Sequence, residues 1–161
     1  MEEAFLKSVH DYQGIIYKIC KVYRDNKEDQ EDLFQEIVYQ LWKSYPSFKG
    51  ESKLSSWIYK VALFTAMAIY RKGKLGIDYY KEIPERIHPT TEKQVSDNAE
   101  RLFQALRQLN DPEKAIISLY LEDFSYQEIA DLLGISENNV GVKLNRIKNK
   151  LKIILNWKSW N

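Results

Sequence analysis

The sequence predicts an all-α protein of two small helical domains joined by a flexible linker, the C-terminal domain being a helix-turn-helix. Apolar residues recur at helical spacing along most of the chain. Only four Pro and six Gly occur in 161 residues, and helix formers fill most of the length. The periodicity is lost for one long stretch, which contains Pro84 and Pro89. We therefore predict domains at residues 1–75 and 98–156, a linker at 76–97 and a tail at 157–161.

The charge of the chain alternates in sign along its length, although the net charge is only +1. Residues 1–45 and 82–134 are acidic blocks. Residues 46–81 carry 7 basic and 2 acidic side chains, and residues 135–161 carry 6 basic side chains and 1 acidic one. Because each basic block falls on a predicted helix, this pattern favours two separate contacts with a polyanion.

Three helices are predicted in the N-terminal domain. Apolar spacing indicates the first at Phe5–Tyr23 and the second at about Asp29–Tyr45. We expect Pro46 to end the second helix, because a residue before proline is pushed out of helical geometry. The third helix is predicted from Leu54 to Arg71. Trp57 falls on its buried rhythm and is predicted to be a core residue.

The strongest local signal lies in Ser125–Leu151. Ser125 and Glu128 have the spacing of a capping box, so a helix should begin at the next residue. Gly134 can adopt the left-handed conformation that ends this helix, and Ser136 can cap the next one. Ahead of this motif, periodicity resumes at Ala99, and a further helix is predicted with Asp111 as its N-cap and Pro112 at its first position, running to about Leu121.

The second helix of the motif has a buried face and an open face. Spacing predicts burial of Val140, Leu144, Ile147 and Leu151. The residues left to point outward are Glu137, Asn138, Asn139, Val142, Lys143, Asn145, Arg146 and Lys150. A short helix, a tight turn and a long helix with an amide and basic face are typical of a recognition helix in the DNA major groove. A helical hairpin with a solvated basic face is the alternative, but Ala130, Gly134, Ile135 and Val140 all occur where the crossing of the two helices requires them.

The chain as a whole resembles a known family. Its segments are EDLFQEIVYQLW (Glu31–Trp42), FKGESKLSSWIYKVALFTAMAIYRK (Phe48–Lys72) and LNDPEKAIISLYLEDFSYQEIA ahead of the second motif helix. In this order and spacing they resemble the extracytoplasmic-function type of sigma-70 family sigma factor. The joint occurrence of the three motifs is specific, whereas either basic block alone would not be.

The resemblance implies roles for the N-terminal domain. The acidic helix of this family docks on the clamp helices of the RNA polymerase β′ subunit, here through Asp32, Leu33, Gln35, Glu36 and Tyr39. The alternative for Asp32 and Glu36 is a pair of solvated carboxylates. The third helix and the loop before it match the part that opens and reads the minus-ten element, here Phe48, Lys49, Lys53, Tyr59, Lys60, Arg71 and Lys72. Melted DNA needs such a combination of cations and aromatic rings.

The resemblance also implies that the C-terminal domain binds the minus-thirty-five element, through Ser125, Ser136, Asn138, Asn139, Val142, Lys143, Arg146 and Lys150. The chain departs from the family at Phe64, commonly Asn, and at Ala68, commonly Asp. It also has Asn139–Val142 where the family usually reads Thr-Val-Lys-Ser. Gly141 within this segment costs about 1 kcal/mol relative to Ala in an exposed helix. One hypothesis is that the missing side chain lets DNA approach the backbone.

The implied partners are core RNA polymerase, through the β′ clamp helices and the β subunit, promoter DNA, and an anti-sigma factor, with no direct membrane contact. A LuxR-type helix-turn-helix regulator is the nearest alternative, but it explains only the C-terminal half. A polymerase-binding protein without promoter specificity is a third interpretation.

No catalysis, metal or other cofactor is expected. His10 and His88 are the only histidines, and neither a glycine-rich phosphate loop nor metal-ligand spacing occurs. Cys20 lies among apolar residues and is predicted to be a core thiol, which fits a reducing cytoplasm. No run of about 18 apolar residues exists, and the start MEEAF does not resemble a secretory leader. The predicted localisation is therefore cytoplasmic.

Overall fold

The computed structural model describes residues 2–50, 53–72 and 96–156, and the side chains of these residues except 69–72. Within these ranges every regular element is helical. The α-helices are α1 (Glu2–Tyr23), α2 (Lys27–Ser44), α3 (Leu54–Lys72), α4 (Asp97–Arg107), α5 (Asp111–Leu121), α6 (Tyr126–Leu133) and α7 (Glu137–Leu155), and a 3₁₀ turn spans Tyr45–Ser47. None of the described helices is both long enough and apolar enough to cross a membrane.

The chain divides into two compact units, Met1–Lys93 and Gln94–Asn161. This division confirms the predicted all-α class with two small domains. Most of the predicted linker and the predicted tail at 157–161 lie outside the described residues. The last two linker residues form the start of α4 instead: Asp97 is its first residue, and the Ser96 side chain caps it by accepting a hydrogen bond from the Ala99 amide.

In the described part of the first unit, α1, α2 and α3 pack against one another pairwise and form a three-helix core. Its largest fully buried side chains are Tyr59, Phe5, Phe34, Ile16, Ile19, Ile37, Leu41, Ile58 and Leu63. Cys20 is completely buried among them, as the sequence predicts. Since each helix contacts both others, the buried face of each is broad.

A chain of aromatic contacts closes one end of this core. The ring of Phe5 lies 4.9 Å from that of Trp42 and 5.3 Å from that of Tyr45, between centroids. The ring of Trp57 lies 6.2 Å from that of Tyr45 and 5.0 Å from that of Phe48. Trp57 is half-buried rather than fully in the core, and its ring packs against residues at the C-terminal end of α2 and in the segment that follows it.

Both boundaries of the second helix differ from the sequence prediction. The second helix begins at Lys27, two residues early, because the Asn26 side chain accepts a hydrogen bond of 2.8 Å from the Asp29 amide. At its other end, Tyr45 keeps right-handed helical angles, with φ −56° and ψ −42°. Pro46 therefore does not push the preceding residue out of helical geometry. It lies in the first turn of a 3₁₀ helix, where its missing N–H leaves no bond unmade.

The second unit is organised around α7, which packs against α4, α5 and α6. It buries the four predicted residues and also Leu155. The N-cap of α5 is Asn110, not Asp111. Its side chain accepts a hydrogen bond of 2.9 Å from the Glu113 amide, and Glu113 Oε1 accepts one of 3.0 Å from the Asn110 amide. This reciprocal pair places Pro112 at the second helical position.

Candidate nucleic-acid interface

Local hydrogen bonds position α6 and α7 as the sequence predicts. Glu128 Oε1 accepts from the Ser125 amide at 2.9 Å, and Ser125 Oγ accepts from the Glu128 amide at 3.1 Å. Gly134 adopts φ 70° and ψ 34° and donates to the Ala130 carbonyl at 2.9 Å. Ser136 Oγ accepts from the Asn139 amide at 3.1 Å and so caps α7. A helix-turn-helix is the result, with both serine hydroxyls used as caps.

The open face of α7 is the one that the sequence predicts. Six of the eight outward residues are exposed, namely Glu137, Asn138, Val142, Asn145, Arg146 and Lys150, and Asn139 and Lys143 are half-buried. With 3.6 residues per turn, Glu137, Asn138, Val142 and Asn145 fall on one flank of the helix, and the three cations fall on the other flank together with Asn139. The outer surface of α7 therefore combines amide and apolar side chains, a type that can contact base edges, with cations, a type that can contact phosphates.

One cation of this face is already paired within the protein. Lys150 Nζ lies 2.6 Å from Glu113 Oε2, across from α5. Burial alone would raise the pKa of Glu113, but hydrogen bonds from Lys150 and the Asn110 amide, together with the charges of Lys150 and Lys143, hold it below its usual 4.5. A contact between Lys150 and a DNA phosphate must therefore compete with this ion pair.

Tyr126 belongs to the same surface, and the sequence analysis did not identify it. It is the first residue of α6 and is 39% exposed. A Cβ built on Gly141 would lie 3.5 Å from Tyr126 Cε2, so the ring covers the α7 backbone at the glycine. The sequence did offer a signal for it. A bulky aromatic residue directly follows the N-cap Ser125 and falls outside the buried positions of the short helix α6.

The predicted minus-ten residues do not all lie on the surface. Lys49, Lys53 and Lys60 are exposed, and Phe48 is half-buried against Trp57. Tyr59 is only 2% exposed. It cannot stack on a base in this structure, because α3 packs against both α1 and α2. The side chains of Arg71 and Lys72 lie outside the described residues.

The two positions on α3 where the chain departs from the family pattern differ in exposure. Phe64 is 41% exposed, and it follows Lys60 by one helical turn. Ala68 is half-buried. An exposed aromatic ring beside a lysine therefore stands where the family commonly has an amide.

The acidic helix α2 also presents fewer of its predicted residues than expected. Asp32 is exposed and Gln35 is half-buried, whereas Leu33, Glu36 and Tyr39 lie in the core. The structure contradicts the expectation that these three face a partner, because α2 packs on two sides, against α1 and α3.

Glu36 is not a solvated carboxylate either. It is 1% exposed, its Oε1 accepts a hydrogen bond of 3.1 Å from Gln40 Nε2, and its Oε2 is buried without a hydrogen-bond partner. Burial raises the pKa of Glu36 above its usual value, against the smaller effect of the Gln40 hydrogen bond. The side chain thus belongs to the interior of the unit.

Both units match known protein families. Residues 9–75 match the model of Sigma-70 region 2, and residues 99–151 match that of Sigma-70, region 4. A LuxR-type regulator would explain only the second match, so that alternative is not supported.

The similar proteins include three from Bacillus subtilis (strain 168). RNA polymerase sigma factor YlaC is 30% identical over 132 residues, 78% of this chain and 76% of that protein. RNA polymerase sigma factor SigV is 28% identical over 148 residues, 91% of this chain and 88% of that protein. ECF RNA polymerase sigma factor SigX is 27% identical over 150 residues, 87% of this chain and 77% of that protein.

Solved structures show the same fold. The sigma factor RpoE of Bartonella quintana, in complex with the anti-sigma factor NepR, superposes with a TM-score of 0.73 at 19% identity, covering 98% of this chain and 99% of that one. CnrH, in complex with the cytosolic domain of CnrY, superposes with a TM-score of 0.65 at 16% identity, covering 99% of this chain and 92% of that one. From the family matches and the sequence relatives together, the chain belongs to the extracytoplasmic-function group of sigma-70 family RNA polymerase sigma factors.

Proposed function

We propose that this chain binds core RNA polymerase, directs it to specific promoters and helps melt the DNA for transcription initiation. The observation that supports this most directly is the capped helix-turn-helix, whose α7 presents an amide, apolar and basic face, in the same chain as a region 2 unit. The chain would act as an initiation factor without catalytic activity of its own.

We assign the minus-thirty-five contact to α7. Asn138 and Asn139 lie in its first turn, where a recognition helix meets base edges. Lys143 and Arg146 lie farther along and would contact phosphates. The hydroxyls of Ser125 and Ser136 are already hydrogen-bonded as caps, so we assign them to positioning the two helices.

We assign the minus-ten contact to α3 and the segment before it. Lys49, Lys53 and Lys60 supply exposed positive charge, and Phe48 is partly exposed beside them. Phe64 adds a further exposed ring in the same helix. Cations interleaved with aromatic rings suit unstacked bases on a melted strand.

We assign the polymerase contact to the exposed part of α2, with Asp32 and Gln35 touching the β′ clamp helices. Leu33, Glu36 and Tyr39 would support this surface from inside. An anti-sigma factor is a further proposed partner, because the similar Bartonella quintana sigma factor is solved in complex with one.

Gel filtration with bacterial core RNA polymerase tests the proposal. We expect the wild-type chain to co-elute with the enzyme, and Asp32→Lys to weaken the complex on the order of ten-fold. Asp11→Lys is the matched control, since Asp11 is also an exposed helical aspartate of the first unit. Binding to DNA without any binding to polymerase would contradict the proposal.

Run-off transcription tests promoter selection separately. The reconstituted complex should start transcription at particular genomic sites at which the core enzyme alone does not start. A complex that forms but initiates at no genomic promoter would instead support a polymerase-binding protein without promoter specificity.

A further inference from the structure

The exposed face of α7 contains an open notch of mixed polar and apolar lining. Its lining residues are Tyr126, Glu137, Asn138, Gly141, Val142 and Asn145. Val142 is 44% exposed and Tyr126 is 39% exposed, so two apolar surfaces meet there in contact with solvent.

The notch exists because residue 141 is a glycine. An added Cβ would point toward the Tyr126 ring, 3.5 Å from Cε2 and 3.8 Å from Cδ2. Without it, space for one methyl group is left between the Cα of Gly141 and the Tyr126 ring, in the notch that Val142 also lines. The same two distances are ordinary van der Waals contacts, so an alanine at 141 would fit and would fill the gap.

The rim and the surrounding charges limit what can occupy the notch. Its polar lining residues are Asn138 and Asn145, which carry amides, and Glu137, which carries a carboxylate. A phosphate would be repelled by Glu137, while Lys143 and Arg146 on the adjacent flank would attract it. An occupant that is apolar at its centre and hydrogen-bonding at its sides fits best.

We propose that Val142, beside the gap at Gly141, reads a thymine of duplex DNA through its C5-methyl group. The inference rests on the proposed minus-thirty-five role of α7 and names the base that it selects. The thymine methyl is an apolar group on the major-groove edge, and the adenine paired with it offers N6 and N7 to an asparagine amide. The notch therefore matches the edge of one A·T pair.

The test replaces single thymines with deoxyuridine, which removes only the methyl group. A duplex upstream element is first selected from random DNA with the polymerase complex, and each thymine in it is then exchanged in turn. At one position we expect the exchange to weaken binding roughly four-fold, the effect of losing one buried methyl. Val142→Ala should weaken binding to the unmodified element and abolish the difference between thymine and deoxyuridine at that position.

Two further variants keep the interpretation specific. Gly141→Ala should also reduce the discrimination, because its methyl fills the gap. Ile153→Ala is the matched control, since Ile153 is an 82% exposed aliphatic residue of α7 outside the notch, and it should change neither affinity nor discrimination.

The possible failures are distinguishable. Equal affinity for thymine and deoxyuridine at every position, or discrimination that persists in Val142→Ala, overturns the methyl readout while leaving promoter binding intact. A Gly141→Ala protein that is merely more stable, with unchanged affinity and discrimination, removes the role of the gap. If no upstream duplex element is selected at all, the proposed function fails together with this inference.

Discussion

Glu36 carries an ionisable carboxyl in an apolar interior. Its Oε2 has no hydrogen-bond partner, and water no longer solvates the charge, so the ionised form is disfavoured and the pKa of Glu36 is raised. The folded state consequently binds a proton more readily than the unfolded state. Stability should fall as the pH rises from the ordinary value of 4.5 through the raised pKa, and the loss is complete above that pKa.

We expect Glu36→Gln to raise the melting temperature of the first unit at pH 7 by a few degrees. The glutamine amide removes the buried charge, and its oxygen can still accept the hydrogen bond from Gln40. Thermal unfolding of both proteins between pH 5 and pH 8 measures the difference in melting temperature. The variant should lack the fall in stability with rising pH. Glu31→Gln, at an exposed position of the same helix, should change little. A variant less stable than wild type at pH 7 would contradict the reasoning.

The pKa of Glu113 shifts in the opposite direction from that of Glu36, because the Glu113 carboxylate accepts hydrogen bonds from Lys150 and the Asn110 amide. The pKa of Glu113 is lowered in the fold, so its contribution to stability is present above pH 4.5, its unfolded value, and is lost as the pH falls through the lowered pKa. The same side chain caps α5 and holds Lys150. It therefore links a structural cap to the surface that we assign to DNA.

We expect Glu113→Gln to release Lys150 for DNA. Glutamine can preserve the capping box, but it no longer pairs electrostatically with the ammonium group. The dependence of promoter affinity on salt should steepen by about one unit of log K per log salt, as for one additional phosphate contact. Titrations of the polymerase complex at several salt concentrations measure this slope. Glu100→Gln, which breaks the ion pair with Arg107 on α4, is the control, and an unchanged slope in Glu113→Gln would show that Lys150 does not reach the backbone.

At the scale of elements, α6 and α7 depend on caps at the turn between them. Ser136 Oγ satisfies the Asn139 amide, and Gly134 turns the chain between the helices. Replacing Ser136 with alanine should cost about 1 kcal/mol of stability in the second unit. Ser136 also lies at the end of α7 that we assign to DNA, so its structural and binding roles must be separated.

Ser136→Asp separates them. Aspartate caps a helix as well as serine and favours the helix N-terminus, so denaturant unfolding should show near wild-type stability. Its negative charge would face the DNA phosphates, and affinity for promoter DNA should drop on the order of ten-fold. An aspartate variant that binds DNA as well as wild type would show that Ser136 lies away from the phosphate backbone.

At the scale of the whole molecule, each unit has its own apolar core, and the basic blocks fall in different units. Cys20 is the only cysteine, and it is completely buried in the first unit. A thiol reagent consequently reports the opening of that unit alone. This makes the independence of the two cores measurable in the intact chain.

We expect the two units to unfold separately in urea. Glu36→Gln should raise the urea concentration at which Cys20 becomes reactive, whereas Ser136→Ala should leave it unchanged although it destabilises the second unit. Ellman's reagent measures the reactivity, and circular dichroism follows the total helix content. If Ser136→Ala shifts the reactivity of Cys20, the units unfold cooperatively.

Local chemistry alone determined most of the helical framework. The capping box at Ser125, the left-handed Gly134 and the buried spacing of α7 were all predictable, because hydrogen bonds within one turn and helical periodicity depend on neighbouring residues. The open face of α7 followed from the same periodicity. The N-cap of α5 was misplaced by one residue, since Asn110 and Asp111 are both good caps.

Only the tertiary structure decided which polar and aromatic residues are available to partners. Glu36 and Tyr59 are buried because α2 and α3 each contact two other helices, and the width of a buried face depends on those neighbours rather than on the residue's own helix. The pair of Lys150 with Glu113 and the contact of Tyr126 with Gly141 join residues distant in sequence. Spacing along a helix predicts the direction of a side chain, but packing between helices decides what that side chain meets.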